Sequence, residues 1–200
     1  MQVAAKACAR GALHVCVRLH AVLRGASPRA CSSGPRLCFM HPNAELIDRF
    51  YTAFAKRDAE VMAACYAPDA TFEDAVFQLQ GGDIAAMWRM LCAQGKDLRV
   101  QHSEVRADNG LGSAHWEADY TFRTGRAVHN RVDATFTFRD GRILTHRDEF
   151  PLWAWTRQAL GVPGALLGWA PPFHGVLRRR AADGLRAYIA AHPESTQIGS

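Results

Sequence analysis

Cys65-Tyr66-Ala67-Pro68-Asp69-Ala70-Thr71-Phe72-Glu73-Asp74 is where this chain changes character. Two short amphipathic helical patterns precede it and a strand-rich half follows it. The stretch reads as a helix that stops at Pro68, a turn, and a strand that carries the acidic pair Glu73-Asp74. Proline lacks the backbone donor that a helix interior needs, so it is a natural stop.

Upstream, Asn43 can cap a helix running to about Lys56. Its Leu46, Ile47, Phe50, Tyr51 and Phe54 recur at the three-and-four spacing of one buried face. Asp58 caps a second short helix, with Val61, Met62 and Cys65 inward. Downstream, Asp83 caps a third, with Ile84, Met87, Trp88 and Leu91 on one stripe, and Gly95 ends it.

Strands follow over Leu98–Arg106, Ser113–Arg123, Val128–Arg139 and Ile143–Phe150. Asp108-Asn109-Gly110, Thr124-Gly125 and Asp140-Gly141 supply the turns, the last being a strong hairpin signal. Three N-terminal helices followed by a meander of antiparallel strands define an α+β fold, with the sheet curled around the helices as a cone. Residues 40–150 form this body. Residues 151–200 are a C-terminal helical extension, dense in Trp153, Trp155, Leu160, Leu166, Leu167 and Trp169 and broken by Gly161, Pro163, Gly164 and Pro171-Pro172. Its last helix runs from about His174 to Ala190. The Arg178-Arg179-Arg180 run on it has two readings, contact with a membrane surface or acidic partner, or simple solvation. The apolar residues in turn would cover the outer sheet face or a dimer interface.

The net charge of +5 belongs to the first 39 residues, which hold Lys6, Arg10, Arg18, Arg24, Arg29 and Arg36 and no acid. The remainder pairs 18 basic with 19 acidic residues, so no nucleic-acid footprint is read and no nucleic-acid partner is expected. Residues 1–39 admit three readings: a mitochondrial-type presequence, a weak secretory signal, or an extension without a fold. Four of the six cysteines lie there. The other two, Cys65 and Cys92, sit in apolar helical patterns, as expected of a reducing, cytoplasmic setting. No run of 18 apolar residues exists, so no transmembrane segment is expected.

Parity sorts the strand residues. Val128, Asn130, Val132, Ala134, Phe136 and Phe138 form an apolar set that belongs to the core face. In the preceding strand hydrophobicity alone would turn Trp116, Ala118, Tyr120 and Phe122 inward. Threading the chain through Thr124-Gly125 and Asp140-Gly141-Arg142-Ile143 instead places Asp119, His146, Asp148 and Phe150 on the pocket face, and parity carries Glu117 with Asp119. The aromatic set then packs under the C-terminal extension.

The order of these motifs over about residues 43–150 resembles the SnoaL-like and ketosteroid-isomerase-like proteins of the nuclear transport factor 2 superfamily. His146-Arg147-Asp148-Glu149-Phe150 is similar to the closing strand of many SnoaL-like proteins and of limonene-epoxide hydrolase. With Leu160-Gly161-Val162-Pro163-Gly164 and Leu167-Gly168-Trp169 the chain resembles an uncharacterised bacterial SnoaL-like subfamily. The resemblance implies a pocket for a small hydrophobic ligand, no cofactor, no metal and a homodimer, and it turns the face of His115, Glu117, Asp119 and Thr121 inward.

Asp74 matches the base of the isomerases. Their two enolate-holding donors, however, fall on Phe50 and Ala134, which cannot donate, so steroid isomerisation is not expected. In the epoxide hydrolases Asp119 and Asp148 match two acids of a relay whose arginine falls on Glu117. The groups that hold the water fall on Phe72 and Asp74. The resemblance thus implies Asp74, Asp119, Asp148 and His146 as catalytic residues. Phe50, Phe72, Trp88, Glu117, Asn130, Val132 and Phe150 would line the ligand. Several plain alternatives stand beside these roles. Asp74 caps a loop, Asp148 bridges to the first helix, His146 is structural, Glu117 lies on the outer face, and Trp88 is core. The function expected is acid/base catalysis of isomerase or hydrolase type, and the alternative is a non-catalytic ligand-binding or dimeric scaffold.

Overall fold

The computed structural model of the protein describes residues 40–197, and the extension read over 1–39 lies outside the described residues. Three helices, α1 (Pro42–Ala55), α2 (Ala59–Ala64) and α3 (Gly82–Gln94), pack with the sheet around one core. The stripe Leu46, Ile47, Phe50, Tyr51 and Phe54 is buried, as its spacing predicts. α1 starts one residue before the expected cap. Pro42 has no N–H to leave unpaired at the first helical position, so His41 becomes the cap. The Asn43 side chain instead donates to the Asp108 carbonyl at 2.8 Å. Asp58 caps α2 as expected, accepting from the Val61 N–H at 3.1 Å. α3 is capped by Gly81 at φ +57°, and Asp83 sits inside its first turn.

The strands are β1 (Tyr66–Glu73), β2 (Gln78–Gln80), β3 (Arg99–Ala107), β4 (Leu111–Thr121), β5 (Ala127–Arg139) and β6 (Arg142–Glu149). They form one sheet in the order β2-β1-β6-β5-β4-β3. The meander from β3 to β6 is antiparallel, whereas β1 joins β6 in parallel. Pro68 does not end α2, which stops at Ala64. It lies within β1, where the register slips between Tyr66↔Ile143 and Thr71↔Thr145. A residue without an N–H is tolerated where ladder pairing is already interrupted. Asp140 and Gly141 take φ of +51° and +71°, as a two-residue hairpin requires.

The facing of β4 corrects one expectation. Trp116 and Ala118 are buried on the core side, and Glu117 and Asp119 point outward. The cause is the β4–β5 connection. A two-residue turn at Thr124-Gly125 would pair Asp119 with inward-facing Asn130. The observed turn holds one residue more, with Phe122 N–H bonded to the Arg126 carbonyl, Gly125 N–H bonded back to Phe122, and Gly125 at φ +77°. Asp119 therefore pairs with His129. A one-residue difference turns every side chain of a strand to its other face. Outside, β4 and β5 form a charge ladder. His115 meets Asp133 at 2.7 Å, Arg131 meets Glu117 at 3.2 Å and His129 meets Asp119 at 2.8 Å.

The extension forms α4 (Leu152–Leu160), α5 (Val162–Leu167) and α6 (Pro171–Ala191), then a 3-10 turn (Pro193–Thr196). It does meet the aromatic row of β4, but that row is the core-side one. Trp155 of α4 donates to the Tyr120 hydroxyl at 2.7 Å and packs edge-on against Phe122. α4 is also pinned to β5 by Gln158, which bonds both the N–H and the carbonyl of His129. α6 buries Leu185 in the common core. Arg89 of α3 bonds the carbonyls of Ser195 and Gln197 and forms a two-pronged pair with Glu60 at 2.6 and 2.7 Å. Among the described residues no helix is long and apolar enough to cross a membrane.

Candidate functional site

β1 and β6 run side by side, with Phe72 paired to His146. Two residues further along both strands, the inward positions are Asp74 and Asp148. A bulge at Leu144, between the pairs Phe138↔Ile143 and Thr137↔Thr145, sets this parity for β6. Across β5 and β4, Asp148 faces Ala134, and Ala134 faces Ala114. These two small side chains leave the space across which the Trp116 indole reaches Asp148.

The result is a continuous buried chain of hydrogen bonds. Trp88 Nε1 donates to the Tyr66 hydroxyl at 3.1 Å, and the hydroxyl meets His146 Nδ1 at 2.6 Å. His146 Nε2 meets Asp148 Oδ1 at 3.0 Å, and Trp116 Nε1 donates to the same oxygen at 3.3 Å. One proton arrangement satisfies every member. Asp148 Oδ1 accepts from Nε2–H, which leaves Nδ1 to accept from Tyr66. The imidazole is fully enclosed by Phe50, Tyr66, Phe72, Trp88 and Phe136, with ring centroids 4.3–6.2 Å away. Burial holds the Tyr66 phenol well above its ordinary value, so it stays a donor.

Asp74 lies at the edge of this assembly, in the turn that leaves β1. Its Oδ1 accepts from the Val76 and Phe77 N–H groups at 2.6 and 2.5 Å, so it does brace a loop. Its carboxyl is nevertheless pushed up to about 6. Burial is the main cause. The two backbone donors oppose it, the charge of Asp148 adds to it, and His146 works against it. The register that pairs Phe72 with His146 and Glu73 with Arg147 brings Asp74 next to Asp148.

Of the other expected residues, Phe50, Phe72, Trp88 and Val132 are buried. Asn130 and Phe150 are half-buried, Asn130 on the core side. Glu117 and Asp119 are not brought to the site, and Asp148 makes its bonds to His146 and Trp116 rather than bridging to α1. Three groups were missed as members. Tyr66 links Trp88 to His146, Trp116 closes the far end of the chain at Asp148, and Tyr51 has a fully buried hydroxyl with no hydrogen-bond partner among the described residues. Burial, then the nearby charge of Asp148, holds the Tyr51 phenol well above its ordinary value. For Trp116 the signal was available in the hydrophobicity of its face. Tyr66 precedes the slip in β1, where strand parity gives no guidance.

The model of the SnoaL-like domain matches residues 47–146, from within α1 to His146. The chain belongs to this family. The SnoaL-like fold is also seen in solved structures of low identity. A nuclear transport factor 2-like protein of unknown function from Burkholderia pseudomallei is 21% identical, with 60% of this chain and 98% of that chain covered and a TM-score of 0.54. IdmH from Streptomyces antibioticus, a candidate polyketide cyclase, is 23% identical over 61% and 100%, at 0.52. An LEH-like epoxide hydrolase from Mycobacterium tuberculosis is 22% identical over 63% and 95%, at 0.50. A search of the curated proteins gives no match. The family match stops at His146, so Asp148 and the whole α4–α6 extension lie beyond it.

Proposed function

We propose that this SnoaL-like protein binds a small, largely apolar molecule beside Asp74 and moves a proton on it. The observation that carries this reading is the convergence of Asp74, Asp148 and His146 in an otherwise aromatic interior. A purely structural core gains little from a buried imidazole and carboxyl group there, because apolar side chains of similar volume serve as well or better. A carboxyl with its pKa near 6 is present in both forms close to neutrality, which suits a general acid or base. In this scheme Asp74 takes a proton from carbon next to a carbonyl and returns it elsewhere. The His146–Asp148 pair fixes the local charge, and the unpartnered Tyr51 hydroxyl is the donor available to the developing enolate.

The outward facing of Asp119 weighs against a water-activating relay shared with Asp148, so the isomerase or cyclase type of chemistry is favoured over the epoxide-hydrolase type. The likeness to IdmH points the same way, as a likeness of fold. The test is proton exchange. Small aromatic ketones incubated with the protein in D2O should gain deuterium at the α-carbon, and Asp74→Asn should abolish the gain. No exchange with any ketone that binds would end this reading.

A second reading is favoured by the packing of Phe50, Phe72, Trp88 and Phe136 directly around His146. In it the protein is a ligand-binding or dimeric scaffold without chemistry, and the charged ladder on the outer face of β4 and β5 meets a second copy. Ligand-dependent quenching of tryptophan fluorescence without exchange, together with a dimeric mass by light scattering, supports it.

A further inference from the structure

The α4–α5 corner carries a surface that neither reading uses. Trp153, Val162, Leu166, Leu167 and Trp169 are 45–71% exposed, and they fall within seventeen consecutive residues. Side chains this exposed protrude; they do not line a groove. The corner is also rigid. Thr156 is fully buried between α4 and α5, and its hydroxyl donates to the carbonyls of Trp153 and Gly164 at 2.9 and 3.2 Å. A Cβ at Gly164 would lie 1.9 Å from the Thr156 carbonyl oxygen, and one at Gly168 would lie 2.0 Å from its hydroxyl. Only glycine permits this approach. His174 Nε2 then ties the start of α6 to the Gly168 carbonyl at 2.8 Å.

Charge restricts what can cover the corner. From Pro151 to Ala182 there is no Asp or Glu, while Arg157, Arg178, Arg179 and Arg180 are all exposed. A second copy of this corner would meet it with the same sign. So would residues 1–39, which carry six basic residues and no acid. The complement is an apolar layer faced with negative charge. The indoles favour lipid over an acidic protein. Trp153 and Trp169 both turn their N–H inward, to the carbonyls of Ala165 and Leu166 at 3.1 and 2.9 Å. Their exposed edges are hydrocarbon and ask for no acceptor. Arg157 lies over the Trp153 ring at 5.1 Å, a charge held beside the apolar ridge.

We propose that this corner seats on the surface of an anionic phospholipid bilayer. The apolar ridge of α4 and α5 enters the headgroup boundary, and Arg179 and Arg180 of α6 lie against lipid phosphates and carboxylates, while Arg178 donates to the Ala75 carbonyl at 3.1 Å. Binding is peripheral and reversible.

The test is cosedimentation of the full chain with vesicles of phosphatidylserine and phosphatidylcholine, against phosphatidylcholine alone. Binding to the mixed vesicles, its loss in high salt and a blue shift of tryptophan emission are expected. Leu166→Ser with Trp169→Ala should weaken binding at least tenfold. Arg179→Gln with Arg180→Gln should weaken it about tenfold or more, on roughly fivefold per arginine. All four residues are exposed, so an unchanged melting temperature checks the fold of both variants. Failure to bind the mixed vesicles overturns the proposal. So does binding that both variants retain, which would place it on residues 1–39. Lipid-free self-association abolished by the Leu166/Trp169 variant, or tighter binding to polyglutamate than to vesicles, overturns it in favour of a protein partner.

Discussion

The sheet carries histidine–carboxylate pairs on both faces, and they are nearly the same length. His146 and Asp148 are 3.0 Å apart inside, and His115 and Asp133 are 2.7 Å apart outside. They are almost back to back, because Asp133 precedes Ala134 and Ala134 is the cross-strand partner of Asp148. The inner side chains are 0 and 4% exposed, and the outer ones 29 and 81%. Water screens the outer pair and offers each member another partner. The inner pair has only its chain of Tyr66, Trp88 and Trp116. Equal geometry therefore carries unequal consequence, and environment decides which pair matters.

The sharpest way to break this comparison is to remove one member from each side. His146→Ala leaves Asp148 with only the long Trp116 hydrogen bond among aromatic rings and opens a void, so it should destabilise by about 3–5 kcal/mol in denaturant titration. His115→Ala should change stability by less than about 1 kcal/mol. Equal effects would mean that burial does not separate the two faces.

Asp74→Asn sharpens it by removing charge while keeping the oxygen that braces the turn. A carboxyl raised to about 6 binds its proton more tightly folded than unfolded. Its contribution to stability is therefore greatest in acid and is lost as pH rises from about 4 through 6. The full effect is at most roughly 3 kcal/mol. The variant should be the more stable protein above pH 6, with a flatter profile between pH 4 and 7, measured as denaturation midpoints across that range.

Trp88→Phe removes the indole donor from the Tyr66 hydroxyl and should cost about 1–2 kcal/mol, visible in the melting temperature. The smallest effect belongs outside. Asp133 is the main cause that raises the His115 imidazole, so Asp133→Asn should lower that pKa in an NMR titration. A raised histidine value adds stability below its unfolded value near 6.5, and this is lost as pH climbs through the folded value. The stability change should stay under about 1 kcal/mol.

Much of this architecture was legible. The spacing of Leu46, Ile47, Phe50, Tyr51 and Phe54 named the buried face of α1, and Asp140-Gly141 named its hairpin. Asp74 was reachable through the resemblance, and His146 and Asp148 through the hairpin at Asp140-Gly141, since β6 alternates without interruption beyond its bulge at Leu144. Glu117 and Asp119 were misplaced because one turn held three residues where two were counted, and the resemblance outweighed the plain hydrophobicity of Trp116 and Ala118. The parallel join of β1 to β6 was hidden for a different reason. No turn connects strands that lie seventy residues apart, so local sequence has nothing to say about their pairing.

Arg89 has a consequence in time. Its guanidinium joins Glu60, nearby in the chain, to the carbonyls of Ser195 and Gln197, over a hundred residues later. During synthesis the α1–α3 layer and the sheet are complete long before those carbonyls emerge. The core side that Leu185 covers must wait with them. The nascent cone thus passes through a stage with its flank open, and chaperone contact or aggregation would act on that stage.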